Sequence, residues 1–213
     1  IAGLATDDMG ALQPTQIKAL QTAVIAKLSS TQIQTLTSTQ LGALTSSQVQ
    51  ALGTNGINQL KTDQIKTLST SIINSLNADQ ITNLDTTLFA QLSSSQIGAI
   101  SNAALSGLSS TRIIAFDTMG ASGLTASQIS ALGSDGISKL SSTQIGVLSS
   151  SAVKALTSDQ IKALGTAKIS GLNSAQLRTL STSAINALSS AQILKLNTAN
   201  VANLTGDQIS AIA

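Results

Sequence analysis

The sequence lacks whole classes of reactive side chain. Its 213 residues include no Cys, His, Trp, Tyr or Glu, and only 9% of them are charged. Without Cys there are no disulfides, thiolate nucleophiles or Cys-based metal sites. Without His, the commonest acid–base group and metal ligand near neutral pH is missing. Typical soluble domains carry roughly 25% charged residues, so solubility must come here from Ser, Thr, Asn and Gln.

Charge and hydropathy exclude further partners. A formal net charge of +2 is too small to predict binding to nucleic acid or to an anionic membrane. Aromatic residues make up 1% of the chain, which leaves almost no rings on which bases would stack. No apolar run approaches the ~18 residues that a membrane-spanning helix needs. We therefore expect no nucleic acid partner and no membrane span.

What the chain does have is a repeat of eight residues. Ile or a related residue recurs with Leu three residues later, as in residues 33–40, and no insertion or deletion interrupts the series from Ile1 to Ile212. Numbered from the Ile, the octad consensus is I-x-A-L-[ST]-[ST]-x-Q. A fixed period of this kind is the signature of a repeat architecture.

Each octad contains the start signal of a helix. The Ser or Thr at position 5 and the Gln at position 8 form a capping box, as in Thr37 with Gln40 and Ser141 with Gln144, in which each side chain bonds the other residue's amide. The Leu before the cap and the Ile after the Gln form a hydrophobic staple. Residues three apart share one face of a helix but not of a strand. The octad therefore predicts a helix of about seven residues.

The few charges agree with short helices. Six of the nine Asp residues stand at octad position 7, near the predicted helix start, and eight of the eleven basic residues stand at positions 2 or 3, in the last turn. A helix macrodipole favours this distribution. The only Pro, Pro14, falls at N1, where proline is best tolerated. One continuous helix is disfavoured because eight residues turn roughly 800°, so the apolar stripe would wind around it.

Alternate octads differ, which makes the true repeat sixteen residues. Gln stands at position 8 of every second octad from Gln16 to Gln208, except at Arg112, whereas the octads between them carry mostly small or apolar residues there. The sequence thus predicts an all-α solenoid of very short helices, with eight residues per helix-turn unit and a sixteen-residue, two-helix repeat. Residues 1–213 would form a single continuous array of about thirteen repeats. Its simplest winding has two helices per superhelical turn, in a rod on the order of 110 to 130 Å long.

One octad departs from the pattern. At Ala121 the large residue of position 1 is lost, and Phe116 and Met119 stand nearby to fill the gap. Losing an apolar anchor costs on the order of 2 to 5 kcal/mol in a packed core. We therefore predict an irregularity, a kink or seam, near residues 117–124. Phe89 and Phe116 are themselves predicted to lie in the core.

We predict no enzyme, no cofactor and no catalytic or metal-binding residues. A Ser-His-Asp triad is impossible without His, and a Ser–Lys spacing such as Ser151 with Lys154 is expected by chance in this composition. The one carboxylate pair, Asp7 with Asp8, lacks the further ligands of an EF-hand loop. A hydrolase would need a pocket that gathers Lys, Asp and Ser, for which residues 112–123 are the best place.

The Ser and Thr residues at positions 5 and 6 have two interpretations. We favour repeated helix capping, because Ser and Thr exchange freely and either serves as a cap. The alternative is a binding module that presents a repetitive Ser/Thr surface to ice, a glycan or a peptide. Ice-binding ladders prefer Thr in fixed register, which this sequence does not show.

The IxALTSxQ-type octads resemble the Ser/Thr/Gln-rich repeat regions of large bacterial secreted or surface proteins, which are often described as adhesin-like. The resemblance covers the whole chain and implies a non-enzymatic, extracellular or cell-surface stalk or filament protomer. The apolar pattern reaches Ile1 and Ile212 without the polar capping units that solenoids usually carry. We therefore expect either flanking repeats of a longer chain or end-to-end self-association into open filaments.

Overall fold

A computed structural model describes residues 6–196 and 198–212. Across these two ranges the regular secondary structure consists of short α-helices, with no strand. The chain forms two compact units, residues 1–107 and residues 108–213. In each unit the helices pack in a repeating order, which confirms the predicted all-α solenoid of very short helices.

Helices of four to six residues build the described part of the first unit. They are α1 (Thr6–Ala11), α2 (Pro14–Ala19), α3 (Thr22–Ile25), α4 (Ser30–Thr35), α5 (Ser38–Gly42), α6 (Ser46–Ala51), α7 (Gly53–Asn58), α8 (Thr62–Thr67), α9 (Thr70–Ser75), α10 (Ala78–Thr82), α11 (Thr86–Phe89), α12 (Ser94–Ala99) and α13 (Asn102–Ser106). Two to four residues separate consecutive helices, except for α6 and α7, which meet at Gly53, whose φ is 63°.

The second unit continues in the same style. Its described helices are α14 (Ser110–Ala115), α15 (Thr118–Ser122), α16 (Ala126–Lys139), α17 (Ser142–Gly146), α18 (Ser150–Lys154), α19 (Ser158–Ile169), α20 (Ser174–Thr179), α21 (Thr182–Asn186), α22 (Ser190–Ile193), α23 (Thr198–Val201) and α24 (Gly206–Ser210). Helices α16 and α19 are longer because each joins two octad helices across a glycine with positive φ, Gly133 and Gly165.

The Ile and Leu of the octad form the core of each unit. Ile65 and Ile161 are fully buried, and Leu84 is too. Phe89 and Phe116 are 1% and 4% exposed, which confirms their predicted place in the core. Helices this short are unstable alone, so the roughly 1.5 to 3 kcal/mol gained by burying each large apolar side chain holds them in place.

The winding differs from the expected two helices per turn. Helices pack on the third octad helix along the chain, as α7 does on α10, α10 on α13 and α21 on α24. Hydrogen bonds between successive turns join residues 25 to 31 positions apart, so one turn takes three to four helices. The expectation failed because the alternation of Gln does not determine the number of helices in a turn: Gln40 and Lys168, from the octads in between, also bond the preceding turn.

The octad that lost its large residue forms an ordinary helix, α15. Asp117 accepts a hydrogen bond from the N–H of Gly120 at its start, and Ala121 is fully buried. Met119 is 64% exposed, so the expectation that it fills the gap is wrong: it stands at octad position 7, which faces solvent. The irregularity near residues 117–124 stays a prediction, as does a single array over residues 1–213.

Candidate functional site

The most regular residues of the octad meet at the junction between helices. Before α12, the hydroxyl of Ser93 accepts the N–H of Gln96 at 3.3 Å, and Oε1 of Gln96 accepts the N–H of Ser93 at 2.8 Å. The same reciprocal bonds join Thr37 with Gln40. The predicted capping boxes are thus confirmed, and Pro14 stands at N1 of α2 as expected.

The other end of the same amide bonds the preceding turn of the superhelix. Nε2 of Gln96 donates to the carbonyl oxygens of Ile65 at 2.8 Å and Leu68 at 2.9 Å, at the end of α8. We call the position-8 Gln side chains that make this contact the glutamine ladder. Its recorded members are Gln40, Gln48, Gln64, Gln80, Gln96, Gln144, Gln160, Gln176, Gln192 and Gln208.

The glutamine ladder solves a problem that short helices create. Every helix leaves N–H groups at its start and carbonyl groups at its end without partners inside the helix, and such ends recur every eight residues here. The oxygen of one ladder amide accepts an N–H at the start of its own helix, and its nitrogen donates to one or more carbonyl oxygens of another helix. Ladder side chains are 1% to 8% exposed, and no buried side-chain nitrogen or oxygen among the described residues lacks a hydrogen bond.

Sequence reasoning missed the donor half of this contact. A capping box accepts Glu as readily as Gln, but a carboxylate has no N–H to offer a carbonyl oxygen. The sequence contains a signal for it, because Gln fills nearly every second position 8 while Glu is absent from the whole chain. That bias is consistent with a need for a donor as well as an acceptor at position 8 of the Gln-bearing octads.

A second series of amides joins successive turns at the surface. From octad position 2, Asn58 donates through Nδ2 to the carbonyl of Asn83 at 2.9 Å, and Asn74 donates in the same way to that of Ala99 at 3.1 Å. Oδ1 of Asn58 also accepts the N–H of Asp85. These bonds are exposed to water, so we expect each to stabilise the fold less than a ladder bond does.

Lys168 shows that an ammonium group also fits a ladder position. It occupies octad position 8, and its Nζ donates to the carbonyl of Ser138 in the preceding turn. Other lysines form ion pairs at the surface, such as Lys139 with Asp135 at 3.5 Å and Lys162 with Asp159 at 3.7 Å. A residue at position 8 can therefore bond the preceding turn if its side chain carries an N–H donor and is long enough to reach the carbonyl oxygens.

The chance Ser–Lys spacing does not form a paired site. Ser151 and Lys154 lie in α18 and are both exposed. The hydroxyl of Ser151 is 3.0 Å from the hydroxyl of Ser149, which itself caps the helix through the N–H of Ala152. The hydroxyl groups of Ser149 and Ser151 thus lie at the N-terminus of α18, where Ser149 caps the helix.

The region suggested for a hydrolase, residues 112–123, borders a depression that brings its Asp117 near Lys and Ser residues of other octads. Asp117, Lys139, Ser141 and Lys168 line one open depression of about 590 Å³ in the second unit. Its polar groups have helix-terminal partners: Asp117 caps α15, Ser141 caps α17, and Lys168 bonds the carbonyl of Ser138. A nucleophile needs a base within hydrogen-bond reach, and the recorded bonds of Ser141 lead instead to a backbone amide and the Thr143 hydroxyl.

The few carboxylates of the described part of the chain do not form a metal-binding cluster. There, no group of three or more His, Cys, Asp or Glu side chains could hold a metal ion. Asp8 is exposed in α1, whereas the side chain of Asp7 lies outside the described residues. Among the helices above, none is long and apolar enough to cross a membrane.

Comparison with known families recovers the repeat. The family model described as the ALTTAQ repeat matches residues 1–38, 20–54, 137–166 and 165–198. These segments together cover more than half of the chain and include capping boxes and ladder residues of both units. No curated protein matches the chain.

Proposed function

Since the chain belongs to the ALTTAQ repeat family, we propose that this structural repeat protein is a non-enzymatic stalk or filament protomer outside the cell. One observation carries the proposal: the recurring residues at octad positions 1, 4, 5 and 8 are used to build the fold, whereas the outward-facing position 6 exchanges Ser and Thr freely. In octad 41–48, Leu41, Leu44 and Gln48 are buried, whereas Gly42, Ser46 and Ser47 are exposed. A recurring binding or catalytic surface would instead place its constant residues on the outside.

The chemistry of the contacts supports an extracellular or cell-surface location. The bonds between turns are made mainly by neutral amides, which do not titrate across ordinary pH ranges. Salt screens exposed ion pairs, but the glutamine ladder contains no ions. A fold held in this way tolerates the uncontrolled pH and ionic strength found outside a cell, and it has no thiol to oxidise.

The glutamine ladder also supports end-to-end association. Each turn offers N–H donors on one side and carbonyl acceptors on the other, so the contact between turns is heterologous and open. Gln16 is exposed, unlike the 1% to 8% exposure of the ladder members. A second copy, or flanking repeats of a longer chain, would supply carbonyl oxygens to this amide.

Sedimentation velocity over a wide concentration range, with negative-stain microscopy, tests the association. We expect a mass that rises with concentration and particles joined end to end, and a loss of this growth in Gln16→Ala. Gln50→Ala is the matched control, because Gln50 is an exposed amide whose Nε2 donates to the carbonyl of Ser75. Monomers at every concentration would contradict the filament.

Labelling of the source cells tests the location. Antibodies raised against the purified chain should bind intact cells, and limited external protease should remove the signal. Labelling that requires permeabilised cells would contradict a surface or secreted location. The two experiments are independent, since a surface stalk need not form filaments.

A further inference from the structure

We propose that a notch in the first unit, at Gly56, binds an aliphatic primary ammonium group. The notch is a cavity of about 310 Å³. Its lining includes the apolar residues Ile25, Leu28, Ile33 and Leu52 and the amide-bearing residues Asn55 and Gln59. It therefore combines a surface for a short hydrocarbon chain with groups that form hydrogen bonds.

The notch is a ladder position without a side chain. Gly56 stands at octad position 8, where Gln48 directs Nε2 to the carbonyls of Ile17 at 2.9 Å, Lys18 at 3.3 Å and Leu20 at 2.7 Å. The residues at the same three sequence separations from Gly56 are Ile25, Ala26 and Leu28. All three line the cavity, so an incoming N–H donor meets the carbonyl set that ladder amides use.

The second unit shows which donor fits such a junction. Gly53 and Gly165 both have a positive φ, 63° and 64°, and each precedes position 8 by three residues. At the Gly165 junction, position 8 is Lys168, whose ammonium donates to the carbonyl of Ser138. At the Gly53 junction, position 8 is Gly56. A four-carbon ammonium bound beside Gly56 would reproduce the Lys168 side chain.

The local packing agrees with a ligand supplied from outside. A Cβ on Gly56 would lie 3.0 Å from Cβ of Leu52, so Leu52 crowds the backbone and favours glycine there. The lining contains no charged side chain, so backbone carbonyls and neutral polar side chains must stabilise the cation. Desolvation of an ammonium opposes binding, and we therefore expect affinity in the millimolar range.

Titration of the full-length chain, followed by amide NMR, tests the proposal with two probes. The n-butylammonium ion represents a small amine, and Nα-acetyl-lysine amide represents a lysine side chain of a partner. We expect saturable shifts confined to the amides of residues 25–30 and 52–59, for one probe or both. Sodium chloride at equal ionic strength should leave these amides unchanged.

Gly56→Lys is the matched variant, since its own ammonium should fill the notch and weaken binding at least tenfold. Shifts that fail to saturate, that spread over the surface or that persist unchanged in this variant would overturn the proposal. Lys168→Gly provides a second route if Gly56→Lys does not fold. It creates an equivalent notch, and n-butylammonium should raise its Tm more than that of the wild type; an equal rise contradicts the assignment.

Discussion

Two kinds of junction connect the helices, and they differ in how they treat the backbone. At the capped junction before α12, Ser93 is extended, with φ −68° and ψ 165°, and its hydroxyl starts the next helix. At the glycine junction inside α16, Gly133 has φ 61° and ψ −173°, a conformation essentially reserved for glycine. At the capped junction two side chains form hydrogen bonds with backbone amides at the helix start. At the glycine junction the chain changes direction through the backbone conformation of the glycine.

The two kinds of junction also differ in the hydrogen bonds that they accept from the next turn of the superhelix. At the capped end of α8, the carbonyl of Leu68 is available, and Gln96 bonds it at 2.9 Å. At the glycine junction between α6 and α7, the carbonyl of Leu52 accepts the N–H of Gly56 instead. Gln80 there bonds Val49 at 2.9 Å and has only a long 3.4 Å contact with Gly53. Hydroxyl caps thus leave carbonyls available to neighbouring turns.

The largest loss of unfolding free energy is expected when a ladder glutamine that bonds the carbonyls of a capped junction is replaced. Gln96→Leu removes five side-chain hydrogen bonds at a buried site, and we expect a loss of about 3 to 5 kcal/mol because partners remain unsatisfied. Gln80→Leu, over the glycine junction, should cost about 1 kcal/mol less. Urea unfolding monitored by circular dichroism measures both, and equal losses would mean that the junctions do not differ.

The glycine junction itself can be broken by a single methyl group. Gly133→Ala should lose about 1 to 3 kcal/mol, since its φ of 61° is strained for any side chain. Gly42→Ala is the control, because no atom lies within 4 Å of its Cβ position and φ is not positive; it should gain about 0.4 to 1 kcal/mol. Thermal unfolding distinguishes the two signs. A stabilising Gly133→Ala would refute the backbone account of this junction.

A capped junction should depend on the hydroxyl and not on the residue that carries it. Thr157 accepts the N–H of Gln160 through Oγ1 at 3.3 Å. We expect Thr157→Ala to lose about 1 kcal/mol of unfolding free energy and Thr157→Ser to change it little. Hydrogen exchange at the Gln160 amide reports the cap directly. If Thr157→Ser were as damaging as Thr157→Ala, the free exchange of Ser and Thr would need another explanation.

Surface ion pairs should contribute least to the unfolding free energy. Lys162 and Asp159 are 3.7 Å apart with side chains 64% and 83% exposed. Asp159→Asn should cost no more than about 0.2 to 1 kcal/mol, and high salt should remove most of that difference by screening. Measured in the same salt series, Gln96→Leu should keep its full cost.

Local features of this fold were predictable from the sequence, because the octad encodes them within eight residues. Capping boxes such as Thr37 with Gln40, the burial of Phe89 and the N1 place of Pro14 each depend on near neighbours in the chain. The helix starts also follow from these patterns. The glycine junctions were not recognised, because a glycine at position 5 is compatible with an ordinary cap until its φ is known.

Features that depend on how turns stack were not predicted. The number of helices per turn and the donor role of Gln96 involve residues about thirty positions apart, and no local pattern reports such a distance. The outward direction of Met119 follows from its place at octad position 7 and not from its size. The cellular location is a proposal, because the buried recurring residues of the octad determine the fold and contain no information about location.

The central claim is that a glutamine of the glutamine ladder is needed both as an acceptor and as a donor. Two variants in one unit isolate the donor: Gln96→Glu in the glutamine ladder, and Gln16→Glu, where the exposed side chain only accepts the N–H of Gln13 at 2.7 Å. A carboxylate keeps the capping box and suits a helix start, so Gln16→Glu should be nearly neutral.

The most direct measurement is the unfolding free energy of these two variants as a function of pH. At pH 7, Gln96→Glu should lose about 3 kcal/mol or more, because a buried carboxylate would face carbonyl oxygens without a donor. Burial and those dipoles should raise the pKa of the new carboxyl, so its loss should grow as pH rises through that pKa and shrink at lower pH. A Gln96→Glu variant as stable as Gln16→Glu at neutral pH would contradict the account.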